Sequence, residues 1–366
     1  MKKKLISLLL VLVMVLCLVP TAMAEVSPTE AEAYAATRSL LSGRKMSYTC
    51  AGNDGADDWD VFGLARDGVS IPQSYIISAK AFTPASDTSI TDCARAILTL
   101  TACGETAGDA LLAGVTNKDN MDAVNELIFS LLALDSKKYT VPDGGMSRNE
   151  LRTLLLSAQD DNGAWGWFFA SGTDWNRESG SSVDETAQAI TALAPYYSID
   201  NNVKSAVDNA LVWLKEMQKS DGSFGYSKAW GLEYYNSTVE STAQVIVALT
   251  ALGIDPANWN GGKNAVSAMC DMAVPAGGGF TYSGSFNEMS TYQGYYALVA
   301  YERFKAHKNA LYDMTDAVPQ TYPHHHPVPA ASTVTSVKTA DTGILLDAAL
   351  SASALLGMGY VGKKRH

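Results

Sequence analysis

The stretch "SSVDETAQ", Ser181 to Gln188, puts two acids side by side, Asp184 and Glu185, at the start of an apolar run. A carboxyl that stays protonated, with a hydrogen-bonded neighbour and aromatic surroundings, can act as a proton donor and stabilise a cation. The same letters also spell a helix start. Ser182-x-x-Glu185 is a capping box, and acids in a first turn suit the helix dipole. Glu240 stands after Thr238 in a similar way, as a repeated helix start requires. Asp184 and Glu185 are the candidate catalytic pair, with capping as the competing role.

Other chemistry is largely excluded. Residues 1–306 contain no histidine. That removes Ser-His-Asp and Cys-His nucleophile arrangements and any histidine-bearing zinc set from this region. No CxxC spacing occurs, so neither a metal nor a cofactor is implied. Outside the N-terminal 24 residues the cysteines are Cys50, Cys93, Cys103 and Cys270. On one helix Cys93 and Cys103 would lie about 15 Å apart, too far to bridge, so mostly buried free thiols are expected.

The elements that hold the acids repeat. "QDDNGAW" gives Gln159, Gly163 and Trp165, and "QKSDGSF" gives Gln218, Gly222 and Phe224 at the same spacing. "VPAGGGF" supplies Gly278 and Phe280, with Val274 in place of Gln. An almost uniformly apolar helix follows each turn, beginning near Asp184, Glu240 and Ser290. Similar runs begin near Asp57, Thr91 and Ala123, which makes six inner helices, apolar on nearly all sides. The segments between them are one-sided. In "VKSAVDNALVWLKEM", Val203, Ala206, Val207, Ala210, Leu211, Leu214 and Met217 share a face, with Lys204, Asp208, Lys215 and Glu216 opposite. A period in this range signals stacked supersecondary units.

These Gln-x-x-x-Gly-x-Trp turns between alternating inner and outer helices resemble the repeats of the protein prenyltransferase and squalene cyclase superfamily. The resemblance covers roughly residues 30 to 312 and implies an all-α fold, an (α/α)6 toroid of six inner and six outer helices. It assigns the turns a stapling role: Gly163, Gly222 and Gly278 for backbone shape, Trp165, Phe224 and Phe280 for packing, Gln159 and Gln218 for free backbone groups. The cyclases' Asp-x-Asp-Asp-Thr-Ala motif, aligned on Thr186-Ala187, places its proton-donating acid at Asp184. Glu185 replaces the last Asp and Ser182 the first, which weakens the enzyme reading. The zinc prenyltransferase activity is excluded by the missing histidine. Cobalamin carriers with this toroid add a β-rich domain, for which nothing after residue 312 is suited.

In such a toroid the inner helices start at one mouth, which gathers Asp58, Asp92, Asp184, Glu185, Glu240 and Glu288. Nearby stand Trp59, Trp165, Trp167, Trp175, Trp230, Tyr234, Tyr235, Tyr282 and Tyr292. An acidic, aromatic mouth suits a polar, ring-bearing or cationic ligand: a glycan, a corrinoid or a peptide.

Both ends read as addresses. Residues 1–24, basic and then apolar, with Ala22-Met23-Ala24 before Glu25, read as a secretory signal peptide. Its removal takes away Lys2, Lys3 and Lys4 and shifts the net charge from −11 to −14. Such acidity repels nucleic acid and anionic membranes. The toroid is assigned to 25–314, a Pro/Ser/Thr-rich linker with His324 to His326 to 315–342, and an apolar, basic-ended tail to 343–366. Linker and tail resemble a Gram-positive cell-wall sorting signal, with Thr339 as the cleavage site; a membrane anchor is the alternative, weakened by Asp347. The expected product is a secreted, surface-attached monomer that binds an extracellular ligand or surface partner without catalysis. The alternatives are a terpene-cyclase-like enzyme or a purely structural module.

Overall fold

Where the apolar runs begin, helices begin. The computed structural model describes residues 27–47, 56–167, 180–228 and 231–320. The expected signal peptide, Cys50, Trp175, Trp230, His324 to His326, Thr339, Asp347 and the tail lie outside the described residues. The described chain is mostly helical, with only short strands. Six helices occupy the apolar runs: α2 (Ala56–Arg66), α4 (Ile90–Ala102), α6 (Val124–Ser136), α8 (Val183–Leu193), α10 (Val239–Ala251) and α12 (Glu288–Lys305). Six alternate with them: α1 (Glu30–Ser42), α3 (Gln73–Ala81), α5 (Asp109–Val115), α7 (Arg148–Ser157), α9 (Asn201–Met217) and α11 (Ala265–Cys270).

The two sets differ as their sequences require. Every residue of α8 is buried, and all of α10 except Ala251. On α9 burial is confined to Val203, Ala206, Val207, Ala210, Trp213 and Leu214. Each apolar helix packs on the next, α2 on α4, then α6, α8, α10 and α12, and α12 packs on α2 as well. Neighbours run the same way where their ends meet. Ser290 in the first turn of α12 donates to Glu240 in the first turn of α10, and Arg303 near the end of α12 donates to the carbonyl of Arg66, the last residue of α2. Full burial of a Leu- or Ile-sized side chain stabilises by about 1.5–3 kcal/mol, so these shared walls carry the fold.

The repeated turns staple helix to helix. Strand β1 (Trp165–Gly166) pairs with β2 (Ser181–Ser182) ahead of α8, and β3 (Phe280–Tyr282) with β4 (Ser285–Asn287) ahead of α12. A single bridge, Phe224 to Thr238, does the same ahead of α10. The backbone N–H of Trp165, Phe224 and Phe280 donates to Thr186, Thr242 and Thr291 at 2.9, 3.1 and 3.0 Å. Gly163, Gly222 and Gly278 have φ of 87°, 99° and 81°. A Cβ there would come within 3.0 Å of Asn209 on α9, 2.7 Å of Asn264 ahead of α11 and 2.4 Å of Ala36 on α1, so each glycine also permits contact with a neighbouring outer helix. The Gln159 carboxamide donates to the Gly163 carbonyl and to Ala206 on α9, both at 2.8 Å, and Gln218 donates to Gly222 at 2.9 Å. Where Val274 replaces Gln, its backbone N–H bonds Gly279 at 2.9 Å instead. Cys93, Cys103 and Cys270 are buried free thiols, each with its pKa raised to about 12, chiefly by burial.

After α12 the chain doubles back as a strap across the helix C-termini. Arg66 donates to the carbonyls of Ala310, Leu311 and Asp313. Asp316 bridges Arg66 and Arg303. Tyr312 stacks on Phe62 at 5.2 Å, and the Met314 N–H bonds Ser136 at the end of α6. Asp316 and Gln320, which composition assigns to the linker, are part of this packing; Gln320 accepts from the Ile71 N–H at 2.8 Å.

Candidate functional site

A common register exposes the site. The N-cap residues Ser89, Ala123, Ser182, Thr238 and Asn287 precede α4, α6, α8, α10 and α12. Six positions beyond them stand Arg95, Phe129, Gln188, Gln244 and Gln293, and two positions beyond stand Thr91, Asn125, Asp184, Glu240 and Met289. Backbone contacts agree: the Val124 N–H bonds the Trp167 carbonyl just as the Val183 N–H bonds the Tyr226 carbonyl.

On α2 and α4 the buried acids have a cation. Arg95 contacts Asp92 at 2.6 Å and Asp58 at 3.5 Å, and the Tyr75 hydroxyl donates to Asp58 at 2.6 Å. On α8 and α10 they do not. Asp184, Glu185 and Glu240 are 4%, 0% and 6% exposed. Ser241 approaches Asp184 and Ser290 donates to Glu240, but Asp184 Oδ1, Glu240 Oε2 and both carboxylate oxygens of Glu185 close no hydrogen bond among the described residues. The Tyr226 hydroxyl stands beside Glu185 and favours its ionised form, without closing a bond to either oxygen. Burial dominates: it raises the pKa of Asp184 to about 7, with Glu240 adding repulsion. Glu185 is pushed well up by burial and then by Asp184, and Glu240 is raised by burial despite Ser290.

The capping role proves half right. Ser182 accepts from the Glu185 N–H at 3.2 Å, but the Glu185 carboxylate does not return to the cap. Complete boxes occur on the outer helices at Thr29/Glu32 and Ser147/Glu150, where hydrogen bonds to the capping residue lower the carboxyl pKa. Glu185 moves the opposite way.

An aromatic group stands next to these acids. Tyr296, close enough to feel the charge of Asp184, has its ring 6.4 Å from those of Trp59 and Tyr292. Trp59 also lies 6.1 Å from Phe129 on α6. Its indole Nε1, buried, has no hydrogen-bond partner among the described residues. Gln244 donates to Gln293 at 2.8 Å and to Tyr296 at 2.6 Å, whereas the Oε1 of Gln188 and the Oδ1 of Asn125 have no partner among the described residues.

The open acidic mouth of the sequence reading is therefore not what these acids face. Asp58, Asp92, Asp184, Glu185 and Glu240 are buried because turns and neighbouring helices cover the first turns. Glu288 alone of the set is exposed, and it pairs with Arg44 at 2.6 Å. Trp165 is fully buried with its Nε1 donating to Leu155 at 2.7 Å, so its role is packing and not ligand contact. Trp167 and Tyr282 are half-buried, the latter with its pKa raised by burial and then by Glu240. Gln188, Gln244, Gln293, Asn125 and Tyr296 were not singled out from sequence. The recurrence of Thr-x-Gln at 186–188, 242–244 and 291–293 was the available signal.

Among the described residues no group of three His, Cys, Asp or Glu side chains could hold a metal ion, and no helix is long and apolar enough to cross a membrane. No protein-family model matches the chain, and no curated protein matches its sequence.

Proposed function

We propose that this chain is a secreted, surface-attached binding module without catalytic activity, an (α/α)6 toroid of the prenyltransferase and squalene cyclase repeat type. Support for the toroid comes from the packing of α12 back onto α2 and from the three matched turns. Surface attachment rests on the signal-like and sorting-like ends of the sequence. One observation carries the binding role: Asp184 Oδ1, both carboxylate oxygens of Glu185, Gln188 Oε1 and Glu240 Oε2 are buried acceptors with no hydrogen-bond partner among the described residues. An unmet buried acceptor costs about 1–3 kcal/mol, so a ligand that satisfies several recovers much binding energy. The test is a thermal-shift panel of glycans, corrinoids and peptides on the full chain, with Glu185→Gln as the control. A ligand that stabilises the wild type and not the variant supports the role; a panel with no hit removes it.

A second reading has its own support. A carboxyl with pKa near 7 beside Tyr296, whose ring neighbours Trp59 and Tyr292, resembles an acid poised to protonate an apolar substrate. Incubation with linear terpenoids decides this: cyclised product from the wild type and none from Asp184→Asn would replace binding with catalysis.

A further inference from the structure

The unpartnered side-chain atoms on α6, α8 and α10 are of one kind. Asp184 Oδ1, both oxygens of Glu185, Gln188 Oε1, Asn125 Oδ1 and Glu240 Oε2 are all acceptors, on side chains 0–6% exposed. Gln188 lies one turn beyond Asp184 on the same face of α8. Asn125 occupies the Asp184 position on α6, which packs against α8. These two carboxamides are independent of the acids and point to the same need for donors. Water could supply donors but no charge, and among the described residues no cationic side chain contributes to the electrostatics of Asp184, Glu185 or Glu240. At the equivalent position of α4 the protein does supply a cation, Arg95. Tyr296 is close enough to feel the charge of Asp184, and its ring neighbours Tyr292 and Trp59, groups of a kind that attracts cations and accommodates an apolar body.

We propose that this site takes an organic ammonium, with the –NH3+ on Asp184, Glu185 and Glu240 and an aromatic or apolar body against Tyr296 and Trp59. The proposal rests on the binding role above and names its ligand class. The ammonium brings three donors and one positive charge to acceptor atoms that have neither among the described residues. Gln188 then marks the difference between an α4 whose acids hold their own guanidinium and an α8 whose acids hold none among the described residues.

Calorimetric titration of the full chain with benzylamine, protonated at about pH 8, and with benzyl alcohol as its neutral counterpart tests it. Saturable binding of benzylamine is expected, with the alcohol on the order of 10- to 100-fold weaker. Asp184→Asn with Glu185→Gln should weaken benzylamine by a similar factor, and Gln188→Arg should abolish it by placing a cation on the chain. Circular dichroism and the unfolding midpoint verify that each variant is folded. Equal binding of amine and alcohol, no saturable binding, or undiminished binding by folded variants overturns the ammonium proposal. If benzylamine fails while a neutral or anionic panel member binds in a Glu185-dependent way, the binding role survives without its cation; if nothing binds, both fall.

Discussion

Around Arg95 and around Gln188 the protein presents the same local architecture with opposite electrostatics. Both regions bury acids in the first turns of neighbouring helices. In the first, Asp58 and Asp92 share a guanidinium and Tyr75 takes a further lone pair. In the second, Asp184, Glu185 and Glu240 receive two serine hydroxyls and little else. A buried acid with a bonded cation can remain ionised, whereas one without is driven toward its neutral form. The first arrangement is therefore a structural lock, and the second is where the proposed ligand would bind.

The largest effect should come from breaking the lock. Arg95→Ala leaves Asp58 and Asp92 without their cation and should destabilise by about 3–5 kcal/mol in urea unfolding. A cost below about 1 kcal/mol would mean that the acids are already neutral.

The uncompensated cluster gives a pH signature. Asp184 faces Glu185 on its own helix, Glu240 on α10, Tyr296 on α12 and Tyr226 from the turn. Its folded pKa of about 7 lies above the unfolded value, so between about pH 4 and 7 the native state holds the extra proton. Its contribution is therefore most favourable at low pH and falls as pH rises, by on the order of 4 kcal/mol, levelling above the folded pKa. Asp184→Asn should flatten this decline and be more stable than wild type at about pH 8. An unchanged stability–pH curve would show that Asp184 is already solvated or paired.

Gln188→Arg sharpens the contrast by copying Arg95 onto α8. It should stabilise the protein at about pH 8, and the gain should shrink by about 1–2 kcal/mol when Asp184→Asn is also present. Additivity in that double-mutant cycle would separate position 188 from the acids. Smallest of all, Glu288→Gln should change stability by less than about 0.5 kcal/mol, because Glu288 itself is exposed and Arg44 keeps its bond to Asp60.

Much of this was legible in the letters. Apolar runs without a polar face located the inner helices, and the Gly163 and Gly222 spacing located the turns. Burial of the acids was not legible. It depends on which turn covers which helix start, and a first-turn Glu looks the same at Glu150, exposed and boxed, as at Glu185, buried and unpaired. Trp59 read as a rim aromatic because it adjoins Asp58, yet the helix turns it toward Phe129 and Tyr296. The strap was hidden by its Pro- and Thr-containing composition. Arg66 and Arg303, cations at the ends of apolar runs, were the marks it left.

That strap has a mechanical consequence. Asp316 grips both the first and the last of the inner helices, and Gln320 adds a grip on the loop after α2. Tension arriving at Gln320 would load this clasp before it reached α12 along the chain. A protein tethered by its C-terminus would thus be pulled first at its buckle, leaving the far end of the molecule, with its unpaired acids, unstretched.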